Sequence, residues 1–352
     1  MAGLRSKRIL VTGVSTYWGG RLAQALEKEP AVETIIGVGT DDPACELERT
    51  EFVRVGLQHA LLRRIVQAAE IDTVIDTRMI VDSLAASPRV AHEANVIGTM
   101  NILAACGGPD SPVRKVVVKS SAHYYGCERD DPAFFTEAMR RPHPPRTRLE
   151  SDIVEAEKAV DGFAERNPDV TVTVARFSNA LGSGLRTSHT ELLGHPAVPC
   201  ILGFDPRYQF IHEEDLVGVL QFAAQRDLPG VYNAAADGVL ALSEVASLLG
   251  RPLAPILPPW GTSLATAALR PVGVRVPDEV RNQLRYGRGL DNRKLKGAGY
   301  SYGFTTRETV LKHAEALRVR SLRRDEAEPY RYEREVEEFL RWSPSVRRRG
   351  TV

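Results

Sequence analysis

Apolar and polar positions alternate along the first half of the chain in a way that fits strands interleaved with helices. Short runs rich in Val and Ile recur as "RILVTG" from Arg8, "ETIIGVG" from Glu33, "EFVRV" from Glu51, "DTVIDT" from Asp72, "VRKVVVKSS" from Val113 and "VTVTVARFS" from Val170. Between them lie "GRLAQALEKE", "ALLRRIVQAAE" and "RVAHEANVIGTMNILAAC", whose apolar residues recur at helical spacing. Continuous β-branched runs indicate strands covered on both faces, so the pattern predicts an α/β domain built on a doubly wound parallel sheet.

A long polar loop after Gly126 ends in Pro144 and Pro145. Thr147, with Glu150 three residues on, then forms a capping-box signature. Leu149, Ile153, Ala156, Val160 and Phe163 continue at helical spacing, which predicts a helix from about Leu149 with one face on the sheet. After about Ala180 the texture turns to Gly, Pro and short elements. The expected organisation is therefore a main domain over 1–180, to which 208–235 returns, a smaller region over 181–310, and a charged helical extension over 311–352. From Leu317 the chain is rich in Arg and Glu, with "YRYEREVEEFLRW" as an amphipathic helix and "RRRG" near the end. Acidic residues offset most of these arginines, which favours a solvated helix over a nucleic-acid arm.

Composition narrows the class. The 352 residues carry a net charge of +1, so no bulk anionic partner is indicated and small-molecule chemistry is the expectation. The four cysteines, Cys45, Cys106, Cys127 and Cys200, form no C-x-x-C pair, so no metal site and no disulfide framework is expected. The basic start lacks the apolar core of a signal peptide, and no window reaches the length of a membrane span. A cytoplasmic protein is the expectation.

"RILVTGVSTYWGGRLAQAL" places a glycine turn between the first strand and the first helix. That arrangement brings backbone amides and a helix dipole to a pyrophosphate. Gly13 and Gly19 stand at its ends, Gly20 is a further small residue, and Thr16 occupies the middle, followed by Tyr17 and Trp18.

With "TGVSTYWG", "NVIGTMNILAAC", "VRKVVVKSSAHYYG", "VTVARFSNALG", "QFIHEEDLVGVL", "GVYNAAADGVLALSE" and "LDNRKLKGAGY" in that order, the chain resembles the extended short-chain dehydrogenases/reductases of the NAD-dependent epimerase/dehydratase type. The resemblance spans roughly Lys7 to Arg307. It implies a Rossmann-like fold with a smaller C-terminal substrate-binding region, NAD or NADP as cofactor, a nucleotide sugar as substrate, and a homodimer. It departs from the family turn, T-G-x-x-G-x-x-G, at Thr16.

In that family a Tyr, activated by a Lys four residues later, transfers the proton, with a Ser or Thr and an Asn completing the relay; a neighbouring cation is what brings a phenol towards neutrality. Ser121 matches the Ser and Asn95 the Asn, with a strand-end hydroxyl and a helix-surface amide as the plain alternatives. The Tyr and Lys are absent: "RTRLESDIVEAEKAV" puts Arg148 or Leu149 at the first position and Asp152 or Ile153 at the second. Lys158 comes too late in the helix. His123 and Tyr125 are the candidates to substitute, against the alternative of ordinary strand-end residues. Ala122 and His123 stand where dehydratases carry an Asp-Glu pair, which disfavours dehydration.

The cofactor positions implied by the resemblance also differ. Gly39 replaces the acid at the end of the second strand, with Asp41 and Asp42 just beyond, and Gly56 replaces an adenine-binding Asp. Arg78 and Met79 stand where small residues usually let the dinucleotide approach; Arg78 either fills that space or offers a fork to a phosphate. Gly13, Thr16, Trp18, Gly19, Asp41 and Arg78 are thus the candidate cofactor residues, and Asn179 and Arg207 the candidate substrate residues. Two functions follow: an NAD(P)-binding family member with non-standard chemistry at Ser121, His123 and Tyr125, or a non-catalytic protein serving as ligand sensor or partner subunit.

Overall fold

A computed structural model describes residues 7–56, 58–256 and 277–323. Seven strands, β1 (Arg8–Thr12), β2 (Thr34–Gly39), β3 (Thr50–Arg54), β4 (Thr73–Asp76), β5 (Lys115–Ser121), β7 (Thr171–Phe177) and β12 (Gly230–Ala234), form one sheet in the order β12-β7-β5-β4-β1-β2-β3. Every pairing in it is parallel. Parallel strands need crossover connections, and the helices that make them cover both faces, so the inner strands β1, β4, β5 and β7 are buried on both sides while the edge strand β3 is not. Val11, Ile75, Val117 and Ala175 face α1 (Tyr17–Glu27) and α7 (Glu213–Gln225), while Leu10, Val74, Val116 and Val174 face α2 (His59–Ala68), α4 (Gly98–Cys106) and α5 (Arg148–Arg166).

The predicted helix over 89–106 is interrupted. A short α3 (Pro88–His92) passes through a π turn, Glu93–Ile97, into α4. The extra residue of the π turn carries Asn95 to the interior. α5 starts where the capping signature places it, with Thr147 Oγ1 accepting from the Glu150 amide at 3.2 Å. The reciprocal half of the box is not made: the Glu150 carboxylate accepts instead from the Arg146 amide at 2.9 Å and from Arg141.

The smaller region has its own core of Leu181, Leu192, Leu193, Tyr208, Phe210, Leu242, Val280, Leu284 and Val310. It is built from paired short strands: β8 (Asn179–Leu181) with β11 (Phe210–His212), β9 (Val198–Ile201) with β14 (Leu253–Ile256), and β10 (Arg207–Tyr208) with β13 (Leu240–Ala241). Around them pack α6 (Ser188–Gly194), α8 (Leu242–Leu248), α9 (Asp278–Tyr286) and α11 (Thr306–Arg323), with α10 (Arg293–Gly297) against β12. A further pair, β6 (Phe134–Phe135) with β15 (Gly289–Leu290), joins the polar loop to this region. Residue 311 falls inside α11, whose Val310 and Ala314 are buried in that core. The expected helix "YRYEREVEEFLRW" and the "RRRG" end lie outside the described residues. Among the described residues no helix is long and apolar enough to cross a membrane.

Candidate active site

The glycine turn sits at the C-terminal edge of β1. Gly13 adopts φ +80°, and its amide donates to the Val38 carbonyl at 2.8 Å, anchoring the turn to β2. A Cβ on Gly19 would fall on the Gly13 carbonyl, so turn and helix touch backbone to backbone. Thr16, by contrast, lies at φ −86° and ψ 156°, an extended conformation open to any residue. Its hydroxyl donates to the Gly13 carbonyl at 2.7 Å and, as N-cap of α1, accepts from the Gly19 amide at 3.2 Å. A side-chain cap thus replaces the middle glycine without strain, and the first turn of α1 carries no acidic residue to repel an anion.

Tyr17 and Trp18 form an edge-to-face pair with centroids 5.1 Å apart. The Tyr17 hydroxyl donates to the Glu213 carboxylate at the start of α7, and its ring lies against Gly184. Burial and the adjacent carboxylate push the phenol well above its ordinary value. At the end of β2, Ser15 Oγ donates to the Asp41 carbonyl at 2.6 Å, folding the Asp41 segment onto the turn, while Asp42 pairs with Arg54. A Cβ on Gly39 would strike Ser15 Oγ.

Arg78 turns back on its own strand. Its guanidinium holds Asp76 with two bonds, Nε to Oδ1 at 2.9 Å and Nη2 to Oδ2 at 2.8 Å. Thr12 Oγ1 donates to the same carboxylate at 2.8 Å. The Arg78 stem packs under the turn, where a Cβ on Gly13 would meet its Cγ at 2.5 Å. Beside it Asn95 is wholly buried and clamps one peptide, accepting from the Ile80 amide at 2.7 Å and donating to the Ile80 carbonyl at 2.8 Å.

Four of the expected residues, Trp18, Ser121, His123 and Asn179, line one cleft of about 60 Å³ at the sheet edge. Polar residues not singled out in the sequence line it with them, among them Lys119, Asp82 and His189. Lys119 is 2% exposed and donates to the Met79 carbonyl at 2.8 Å; burial lowers its pKa to about 8. His123 follows Ser121 in a single 3-10 turn, with Ser121 Oγ accepting from its amide at 3.2 Å. Burial, with the positive charges of Arg288 and Arg141 and the neighbouring His189, holds its pKa well below the ordinary imidazole value. Burial likewise lowers His189 to about 4, so both rings are neutral at pH 7. The Gln283 carbonyl oxygen accepts from Asn179 Nδ2 at 2.8 Å and lies 3.1 Å from His189 Nε2. His123 Nδ1, Ser178 Oγ, Tyr208 OH and Gln283 Nε2 are buried polar atoms with no partner.

Tyr125, Asn95 and Arg207 do not line this cleft. Tyr125 stacks on Phe135 with centroids 4.7 Å apart and donates to Asn233 Oδ1 at 2.9 Å. Arg207 is exposed on β10. On α5, Arg148 is exposed and Asp152 bonds His92 Nδ1 at 2.8 Å, while Leu149 and Ile153 are buried in the apolar cluster that also holds Met79 and Val118. Further along α5, Glu157 meets Arg176 and Ser120 in a buried network, with the Arg176 guanidinium 3.4 Å from the Tyr124 ring centroid. A larger hollow of about 560 Å³ between α4 and α5, floored by Met100, Leu103 and Phe163, lies away from this chemistry.

The sheet order and the glycine turn at its first crossover define a dinucleotide-fold protein of the extended short-chain dehydrogenase/reductase class. Residues 9–235 match the model of the NAD dependent epimerase/dehydratase family, and the chain belongs to that family. An uncharacterized protein of Mycobacterium tuberculosis is 33% identical over 314 residues, 86% of this chain and 82% of that one. Among solved structures, UDP-glucose 4-epimerase of Thermotoga maritima with UDP-glucose superimposes with a TM-score of 0.66 at 18% identity, covering 89% of this chain and 99% of that one. The dTDP-glucose 4,6-dehydratase of Bacillus anthracis in complex with NAD gives 0.66 at 17% identity, over 89% and 97%. At these identities the likeness is one of fold.

Proposed function

We propose that the chain binds NAD or NADP along the C-terminal edge of the sheet and presents a hydroxyl of a nucleotide sugar at the mouth of the cleft at Ser121, without the tyrosine–lysine chemistry usual in its family. The observation that carries the reading is the pair of unpartnered buried polar atoms on His123 and Ser178 at the cleft, with a third on Gln283 behind Asn179 and His189. Buried donors and acceptors are normally satisfied, so their geometry suits a polar ligand held there. The turn fits a pyrophosphate: Gly13 has the required positive φ, Gly19 allows close backbone contact, and no carboxylate stands in the first turn of α1. The turn amides would hold the phosphates, and Asp41, drawn in by Ser15, is the nearest acid for a ribose hydroxyl. A bound nicotinamide would supply hydride chemistry. Ser121 would orient a ligand hydroxyl, and Trp18 and Phe177 would exclude water from the cleft.

A second reading, a ligand-binding protein without catalysis, is favoured by α5, which offers no acid–base pair in either alignment, Arg148 being exposed with Asp152 on His92, and Leu149 and Ile153 being apolar core, and by the commitment of the Arg78 fork to Asp76. Titrating NAD(H) and NADP(H) while following tryptophan fluorescence, with Trp18→Phe as control and calorimetry alongside, tests cofactor binding. A saturable, Trp18-dependent change at micromolar dinucleotide supports the first reading. No heat and no fluorescence change up to millimolar dinucleotide overturns it.

A further inference from the structure

We propose that Lys119 is the acid–base group of this cleft, standing in from β5 for the tyrosine–lysine pair that α5 lacks. The inference rests on the proposed dinucleotide and sugar binding and deepens it.

The geometry begins with the strand. Successive side chains of a β-strand alternate, so Lys119 and Ser121 leave β5 on the same side, while Ser120 points the other way, to Glu157 on α5. Lys119 and Ser121 line the same cleft, with His123 two residues further on. The ammonium is buried, and of its three donors the Met79 carbonyl takes one. Among the described residues no carboxylate lies in ion-pair contact with it. Asp76, the nearest opposing charge, already holds Arg78 and Thr12, and Asp82 across the cleft accepts from Ser188 Oγ and its amide, both at 2.6 Å.

The remaining groups facing the cleft leave the role to Lys119. His123 and His189 are neutral across the physiological range, and the same burial makes each a weak base that does not hold a proton at pH 7. Ser121 needs a partner to hold a proton. Burial makes the Lys119 charge costly, and its tendency to shed the proton near pH 8 agrees with the geometry. In the forward step the neutral amine of Lys119 would take the proton of a ligand hydroxyl by way of Ser121 and become an ammonium. A bound oxidised nicotinamide would accept the hydride from the carbon bearing that hydroxyl, so that the alcohol would become a ketone, and return of hydride and proton would restore it.

Two measurements test this. Protein labelled with 13C at lysine Cε is titrated by NMR, with Lys119→Met assigning the resonance; Lys119 is expected to titrate near pH 8, about two units below exposed lysines. A midpoint above 10 overturns the proposal. Wild type, K119M and K119R are then mixed with NAD and UDP-glucose or UDP-glucuronic acid, and enzyme-bound reduced nicotinamide is read at 340 nm. Wild type is expected to form it with a rate rising tenfold per pH unit up to about pH 8. Both variants should lose at least 100-fold in rate while binding NAD within threefold of wild type; K119R retains the charge and guards against a merely misfolded K119M. Reduction by K119R at the wild-type rate overturns the proposal. So does wild type that binds NAD but reduces none of it, an outcome that leaves the cofactor reading intact. Failure to bind NAD at all brings down both.

Discussion

Arg78 and Asp76, two residues apart at the end of β4, close a two-bond ion pair directly beneath the glycine turn, with side chains 9% and 4% exposed. Arg78 stands at one of the two positions where the resemblance implies small residues, and the ion pair welds the turn's floor to β1 through Thr12. Removing one partner strands the other charge in the interior. Arg78→Met should therefore cost about 3–5 kcal/mol in urea unfolding, and Asp76→Asn combined with Arg78→Met should recover most of it. Additive losses in the double variant would refute the coupling.

Asn95 spends both ends of its amide on the Ile80 peptide. Asn95→Ala leaves a half-buried N–H and C=O unpaired and should cost about 1–3 kcal/mol. Asn95→Asp keeps the acceptor for the Ile80 amide but sets a carboxylate against a carbonyl. Faster hydrogen exchange at Ile80 in both variants, ahead of global unfolding, is the expected signature.

His123 and His189 make the fold acid-sensitive. Both have folded-state pKa values below the ordinary imidazole value, so the unfolded chain binds protons first as pH falls. Their contribution is fully present above about pH 6.5 and is lost as pH falls below it; for His189 the loss runs down to about pH 4 and amounts to roughly 3 kcal/mol. Thermal unfolding from pH 7 to 4.5 should show Tm falling steeply in wild type and more gently in His189→Gln.

Rebuilding the missing pair should fail. Leu149→Tyr with Ile153→Lys puts a phenol and an ammonium into packed apolar core, and the double variant should lose more than about 3 kcal/mol of stability with no gain in reduced-nicotinamide formation. A stable, faster enzyme would show that α5 can turn these positions to the cleft.

The strands and the glycine turn were legible because their signals are local: Val11, Ile75 and Val117 are apolar in runs, and Gly13 is a glycine wherever β1 leads. Side-chain fate was less so. Asn95 reads as a surface amide by helical spacing and is carried inward by a π turn whose partner, Ile80, lies 15 residues away. Lys119 hides inside "VVVKSS", although its two-residue spacing from Ser121 on a strand already places both on one face. His189 lies in Gly- and Pro-rich sequence and meets the cleft only through the packing of α6, backed by Gln283 of α9.

The bond from Tyr17 to Glu213 fastens the phosphate turn to the corner at Ser183 and Gly184, since Glu213 also accepts from the Ser183 amide at 3.0 Å. It works as a hasp between the first turn of α1 and the corner that follows β8. One carboxylate holds both ends, so a displacement of the glycine turn is passed to the corner without crossing the sheet.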